Sequence, residues 1–122
     1  MDVKGKKAIA LGGTSGIGLA TTNRLTELGA KVVAVSRAPE RAKDLVAQGV
    51  ELRLCSVLDR PGLKRLFEEW SKFDVLVCAA TGGSRAAGPF LEMDLDAYQA
   101  SFAKLWGYTN AVRLGAEHLN SQ

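Results

Sequence analysis

Two cysteines and a single histidine leave this chain little from which to build a metal centre or a disulfide framework. Cys55 and Cys78 each stand in an apolar, strand-like run, where a thiol packs as a small hydrophobe, so neither a disulfide nor a metal site is expected. Aromatic residues are also scarce, at 7% of the chain, and the net charge is only +3. Nucleic-acid binding calls for a concentrated basic stripe interleaved with aromatics. Here the basic residues alternate with acids, as in Glu40 to Lys43 and Lys64 to Glu69, and read as solvated helical faces. No apolar run approaches the roughly 20 residues that span a bilayer, and the start Met1-Asp2-Val3-Lys4 lacks the apolar centre of a signal peptide. The expectation is a cytoplasmic protein with neither nucleic acid nor membrane as partner. Internal repeats, low-complexity tracts and interdomain linkers are absent, so residues 1–122 read as one domain.

What is present is apolar mass for a core, at 47% hydrophobic residues against 24% charged. Short β-branched runs alternate with longer stretches of helical periodicity. Strands are predicted near Lys7 to Leu11, Lys31 to Ser36, Glu51 to Cys55 and Asp74 to Ala79. Helices are predicted over Gly16 to Leu28, Pro39 to Gln48 and Pro61 to Lys72, with Pro39 and Pro61 in first turns and Gly29 and Gly49 as C-terminal caps. This alternation predicts an α/β fold with a parallel sheet wound by right-handed crossovers.

The segment Leu11-Gly12-Gly13-Thr14-Ser15-Gly16-Ile17-Gly18 falls directly between the first strand and the first helix, the arrangement of a dinucleotide-binding turn. Gly12 allows the strand to turn sharply, Gly16 lets backbone approach a pyrophosphate, and Gly18 lets the helix pack closely on the strand. The phosphates would meet free amides at a helix N-terminus. The alternative is a tight structural turn without a ligand.

The spacing of Gly12, Gly16 and Gly18 resembles that of the short-chain dehydrogenase/reductase family. The likeness continues through Gly29-Ala30-Lys31-Val32-Val33-Ala34-Val35-Ser36-Arg37 and Asp74-Val75-Leu76-Val77-Cys78-Ala79-Ala80. It implies the first half of a doubly wound, Rossmann-like fold, with strands in the order 3-2-1-4 and helices on both faces. It also implies a nicotinamide cofactor held by Gly12, Thr14, Ser15, Gly16, Ile17, Gly18, Ser36, Arg37, Ser56, Val57, Ala79, Ala80 and Thr81.

At the end of the second strand an acidic side chain would hold the ribose hydroxyls and repel a 2′-phosphate. This chain has Ser36, which can donate to a phosphate oxygen, and Arg37, which can pair with the phosphate or stack on adenine. NADP(H) is therefore expected over NAD(H), against the alternative that Arg37 is an ordinary loop arginine. Arg41 and Lys43 are expected to add attraction without contact.

Several family positions differ. Ser56 stands where an aspartate often contacts adenine, Asp59 is expected to cap the next helix, and Cys78-Ala79-Ala80-Thr81 replaces Asn-Asn-Ala-Gly. Leu11 replaces a threonine whose hydroxyl ties the turn together, and Lys104 falls at the position of the asparagine of the fourth helix. The family's catalytic tyrosine and lysine, four residues apart, follow a fifth strand, with a serine before them. The two tyrosines here are followed four residues later by Phe102 and Val112, so that motif is not among these residues.

A last helix is expected to begin after Asp94 as N-cap and to carry Leu95, Tyr98, Phe102, Leu105, Thr109, Val112, Ala116 and Leu119 as one stripe, part of it covering the sheet. Trp106 and Leu114 lie off that stripe, which suggests a subunit contact. The run Val75 to Cys78 is apolar on both faces, yet the predicted order leaves it at an edge. A homodimer covering that edge or the last helix would answer this, as would a further C-terminal piece of a longer enzyme.

A proton donor for carbonyl reduction is sought in Lys104 and Tyr108, four apart on a helix, the lysine lowering the tyrosine pKa. The alternative is a solvated lysine beside a packed tyrosine. Thr81 and Ser84 could bind a substrate oxygen from the loop between residues 81 and 93, whose stretch Gly82 to Gly88 is read as mobile. His118 reads as a surface residue at a helix end. Three functions stand: an NADP(H)-dependent oxidoreductase of a carbonyl or alcohol substrate, a non-catalytic NADP(H)-binding module, and a half that needs its complement.

Overall fold

The computed structural model describes residues 2–81 and 86–121. Four parallel strands, β1 (Lys7–Leu11), β2 (Lys31–Ser36), β3 (Glu51–Leu54) and β4 (Val75–Cys78), form one sheet in the order β3-β2-β1-β4. Side-chain alternation divides the apolar residues between the two faces. Ile9, Leu11, Val33 and Val35 enter the larger core with Leu63, Leu66, Phe67, Phe73 and Ala111, and Leu76 and Cys78 pack against it. Ala8, Ala10, Ala30 and Val32 form the opposite face with Leu25, Val75 and Val77. Helix α1 (Gly16–Glu27) lies on the second face, while α2 (Arg60–Glu69) and α4 (Ala103–Gly115) cover the first.

The helix ends follow their sequence signals. Gly29, at φ +95°, closes α1 with its amide on the Thr26 carbonyl and the Ala30 amide on Leu25, the two bonds of a Schellman cap. Asp59 caps α2 by accepting from the Gly62 amide at 3.0 Å, with Pro61 in the first turn. Asp94 accepts from the Asp96 amide at 3.1 Å and starts α3 (Leu95–Ala100).

Two helical expectations fail. The helix predicted over Pro39 to Gln48 is only a 3₁₀ turn, Pro39–Ala42, followed by irregular backbone. The carboxamide of Asn23 on α1 explains this: it accepts from the Ala47 amide at 2.7 Å and donates to the Leu45 carbonyl at 3.0 Å, engaging groups that a longer helix would pair internally. Gly49 accordingly is no helix cap, although its φ of +94° still serves a turn.

The predicted last helix breaks at Ser101 and Phe102 into α3 and α4, with a 3₁₀ turn, Ala116–His118, after them. Most of its large apolar stripe does not cover the sheet: Leu95, Phe102, Leu105 and Val112 are exposed, as is Trp106 off the stripe, while Leu119 at its end packs against the core. The buried face is instead Gly107, Asn110, Ala111 and Gly115, with Leu114 half-buried against the core. Small residues in an i, i+4, i+8 row let the helix backbone close on α2, on the connection that leads into it and on Leu76 of β4. A Cβ on Gly107 would stand 2.6 Å from Val57 Cγ2, and one on Gly115 only 3.1 Å from the Phe67 ring. Tyr98 stacks edge-on between Phe90 and Phe102, with ring centroids 5.9 and 5.3 Å away, as a satellite cluster outside the core.

Strand β4 lies at the sheet edge, as its place in the order requires. The start of that edge is met by a single parallel bridge between Phe73 and Leu119. The Phe73 amide donates to His118 and its carbonyl accepts from Asn120. Asp74 fastens both neighbours, accepting from the Lys7 amide at 2.9 Å and from the Asn120 side chain at 2.8 Å. His118, half-buried, shares a 3.0 Å hydrogen bond between its Nδ1 and Ser71 Oγ.

Candidate cofactor site

At the carboxyl ends of the strands, where ligands of open parallel sheets sit, lies a cleft of about 330 Å³. The β1–α1 turn forms its floor with Gly12, Thr14 and Ser15. The β2 end supplies Ser36, Arg37 and Ala38, the β3 end supplies Cys55, Ser56 and Val57, and the β4 end supplies Ala79, Ala80 and Thr81. Ten of the thirteen cofactor positions expected from the sequence therefore line one cleft. The other three, Gly16, Ile17 and Gly18, form the first turn of α1.

Each glycine in the turn answers a different neighbour. Gly12 has φ +76°, and a side chain there would collide with the backbone of Ala79 and Ala80. Gly18 packs so closely that its Cβ would strike the Gly12 carbonyl oxygen. Gly16 has φ +52° and, among the described residues, no other part of the chain within 4 Å of where a Cβ would be, so open space lies before its backbone. Next to it Ser15 stands as N-cap without a side-chain capping bond, and no acidic side chain occupies the first turn. Uncapped amides, no local negative charge and a bare glycine are what a pyrophosphate group needs. These residues fit a dinucleotide.

The turn also uses residues whose part the sequence reading misses. Thr22 of α1, fully buried, donates its hydroxyl to the Gly13 carbonyl at 3.0 Å, supplying a tie where Leu11 cannot. A Cβ on Gly13 would come within 2.7 Å of that hydroxyl. A threonine one helical turn after Gly18 on the sheet-facing side is the signal that could have marked it.

Charge gathers at the mouth near β2. Arg37 and Arg41 both line the cleft, and among the described residues its lining holds no carboxylate. Arg41 thus stands in the wall, carried there by the 3₁₀ turn that replaces the predicted helix. Ser36 Oγ accepts from the Ala38 amide at 3.2 Å, which leaves its hydroxyl proton free to donate. Ser56 Oγ likewise accepts from the Leu58 amide at 3.2 Å. The Cys55 and Cys78 thiols are free and half-buried, and burial pushes both above their ordinary pKa.

Lys104 and Tyr108 do not line this cleft. They neighbour each other on α4, with the lysine ammonium 5.7 Å from the centre of the tyrosine ring. Ser84 and most of the loop read as mobile lie outside the described residues. Among the described residues no helix is long and apolar enough to cross a membrane.

A parallel sheet in this order with a glycine turn opening on a cleft at its carboxyl edge defines a Rossmann-type dinucleotide-binding unit. The short chain dehydrogenase family model matches residues 6–122, and the chain belongs to that family. It is 36% identical over 107 residues to short-chain dehydrogenase reductase 4 of Arabidopsis thaliana, covering 81% of this chain and 36% of that one. To L-xylulose reductase of Mus musculus it is 34% identical over 104 residues, covering 84% of this chain and 42% of the relative. A solved short chain dehydrogenase/reductase family protein superposes with a TM-score of 0.81 at 26% identity, over 97% of this chain and 51% of its own. Serine dehydrogenase from Escherichia coli shares the fold at a TM-score of 0.78 and 21% identity, over 92% and 55%. The chain thus spans well under half of these curated relatives and about half of these structures.

Proposed function

We propose that this chain binds NADP(H) in preference to NAD(H) and serves an oxidoreductase acting on a carbonyl or alcohol substrate. The observation that carries the reading is the pairing of an open, uncapped glycine turn with a cleft mouth that holds two arginines and no carboxylate among the described residues. Gly12 and Gly16 with the first α1 amides would hold the pyrophosphate. Ser36, Arg37 and Arg41 would hold the 2′-phosphate, a charge-assisted set that repels nothing on that ligand. Ser56 and Val57 would border adenine, and Ala79, Ala80 and Thr81 the nicotinamide ribose.

When bound, the nicotinamide supplies or accepts a hydride at the substrate carbon; the matching proton has to pass to or from a group on the protein or water. Thr81 is the hydroxyl of the cleft nearest the expected reacting end, with Lys104 and Tyr108 the further candidates. The membership of oxidoreductases in this family supports the reaction class. A non-catalytic NADP(H)-binding module is the second reading, favoured by the position of Lys104 and Tyr108 away from the cleft lining. The reading includes a second copy of the chain packed on the exposed apolar face of α3 and α4, and a cytoplasmic pool of the cofactor.

Single-turnover oxidation of NADPH by the purified chain with activated ketones tests the reaction. Turnover that drops about tenfold or more in Lys104→Ala or Tyr108→Phe is the result expected of a catalyst using that pair. NADPH binding without turnover would leave the binding module, and absence of NADPH binding would refute both readings.

A further inference from the structure

Asn110 is a buried carboxamide on a helix face otherwise made of glycine and alanine. A buried polar side chain on such a face is costly unless it is hydrogen-bonded, so its partners define its role. Both partners lie 50 or more residues away and in one short segment. Asn110 Nδ2 donates to the Val57 carbonyl at 3.0 Å, and Oδ1 accepts from Arg60 Nε at 3.1 Å. The carboxamide therefore clips the middle of the connection from β3 into α2, at Val57, to the first residue of α2, Arg60.

That connection is the cleft wall supplied by Cys55, Ser56 and Val57. Its internal bonds are short-range: the Asp59 amide on the Ser56 carbonyl at 3.0 Å and the Leu58 amide on Ser56 Oγ at 3.2 Å. They shape the turn, and the Cys55 amide ties its start to β2 by donating to the Ser36 carbonyl at 3.0 Å. Beyond that first residue helix α4 holds the wall, at two points on Val57. Gly107 leaves just enough room for the Val57 side chain, and Asn110 holds the Val57 carbonyl. We infer that Asn110, with Arg60, is a positioning residue for the adenine subsite, setting where Ser56 and Val57 stand although neither Asn110 nor Arg60 lines the cleft. This inference rests on the reading of the cleft as an NADP(H) site.

The geometry separates this subsite from the glycine turn, which α4 does not brace. Two probes report the two regions: adenosine 2′,5′-bisphosphate, which needs the adenine wall, and inorganic pyrophosphate, which needs only the turn. In Asn110→Leu, which keeps volume and loses both hydrogen bonds, the bisphosphate is expected to bind about tenfold more weakly and pyrophosphate unchanged, since one or two lost hydrogen bonds are worth about that factor. Arg60→Gln, at an exposed position that leaves the core untouched, is expected to weaken the bisphosphate about threefold. It guards against an Asn110→Leu variant that fails to fold. Amide hydrogen exchange at Leu58 and Asp59 is expected to accelerate in either variant, with β1 and β2 unaltered. Unchanged bisphosphate affinity in Arg60→Gln together with unaltered exchange, or an equal loss for both probes, would overturn the positioning role. Failure of the wild-type chain to bind the bisphosphate would instead overturn the reading of the cleft.

Discussion

Glycine does opposite things at the two regions that matter most in this chain. In the β1–α1 turn, Gly16 faces a space into which, among the described residues, no other part of the chain comes within 4 Å of a Cβ position, and Ser15 leaves the neighbouring amides without a side-chain cap. On α4, Gly107 and Gly115 do the reverse, removing side chains so that Val57, Phe67 and Leu76 can press against the helix. The first region is shaped for something outside the chain and the second for the chain itself. A glycine therefore reports close approach, and only the surroundings show whether the approaching group is protein or ligand.

The contrast can be broken most sharply at Gly18, which sits in the turn yet packs like the α4 glycines. Gly18→Ala drives a methyl into the Gly12 carbonyl, backbone that cannot yield, and is expected to cost about 3 kcal/mol by chemical denaturation. NADPH affinity should fall with it. Gly16→Ala should behave differently, costing about 1 kcal/mol for its left-handed backbone while weakening NADPH more than tenfold. Equal stability losses in the two variants would dissolve the distinction.

On the packed side, Gly107→Ala is expected to cost about 1–2 kcal/mol, because the new methyl meets the buried Val57 side chain. The outer face of the same helix should be nearly silent. Leu105→Ser and Trp106→Ser, at exposed positions, are expected to change the stability of the single chain by no more than about 0.5 kcal/mol. Light scattering should instead record loss of self-association. A large stability loss in the monomer would show that this face is core.

The smallest expected effect lies at the far end of the sheet. The Lys7 amide, and next the Asn120 side chain, hold the Asp74 carboxyl below the ordinary carboxylate range. Its pKa is lowered in the folded chain, so its contribution is complete above the unfolded value near 3.9 and is lost as pH falls through the lower folded value. Asp74→Asn should therefore lower Tm slightly at pH 7, and the difference from wild type should shrink below pH 4. A difference that grows on acidification would reverse the assignment.

The strands and the turn were legible because their signals are local. Short apolar runs mark Lys7–Leu11 and Lys31–Ser36 at the observed bounds, and the glycine spacing stands between them. Arg37 and Ser36 could be assigned to the cleft because a strand end in a known order has only one place to point. The α4 face is not legible from apolar size, because the helix packs closely on α2 and the β3–α2 connection through its smallest residues and leaves the large ones outside. The lost helix after Pro39 and the Asn110–Arg60 clip depend on side chains reaching across 22 to 50 residues of sequence. No local pattern encodes such partners.

Fluorescence titration of the purified chain with NADPH and with NADH, in wild type and Arg37→Asp, tests the central claim most directly. The account predicts that wild type binds NADPH at least tenfold more tightly than NADH, as expected of a charge-assisted phosphate contact, and that Arg37→Asp reverses the order. Equal affinities for the two in wild type, or no binding of either, would contradict it.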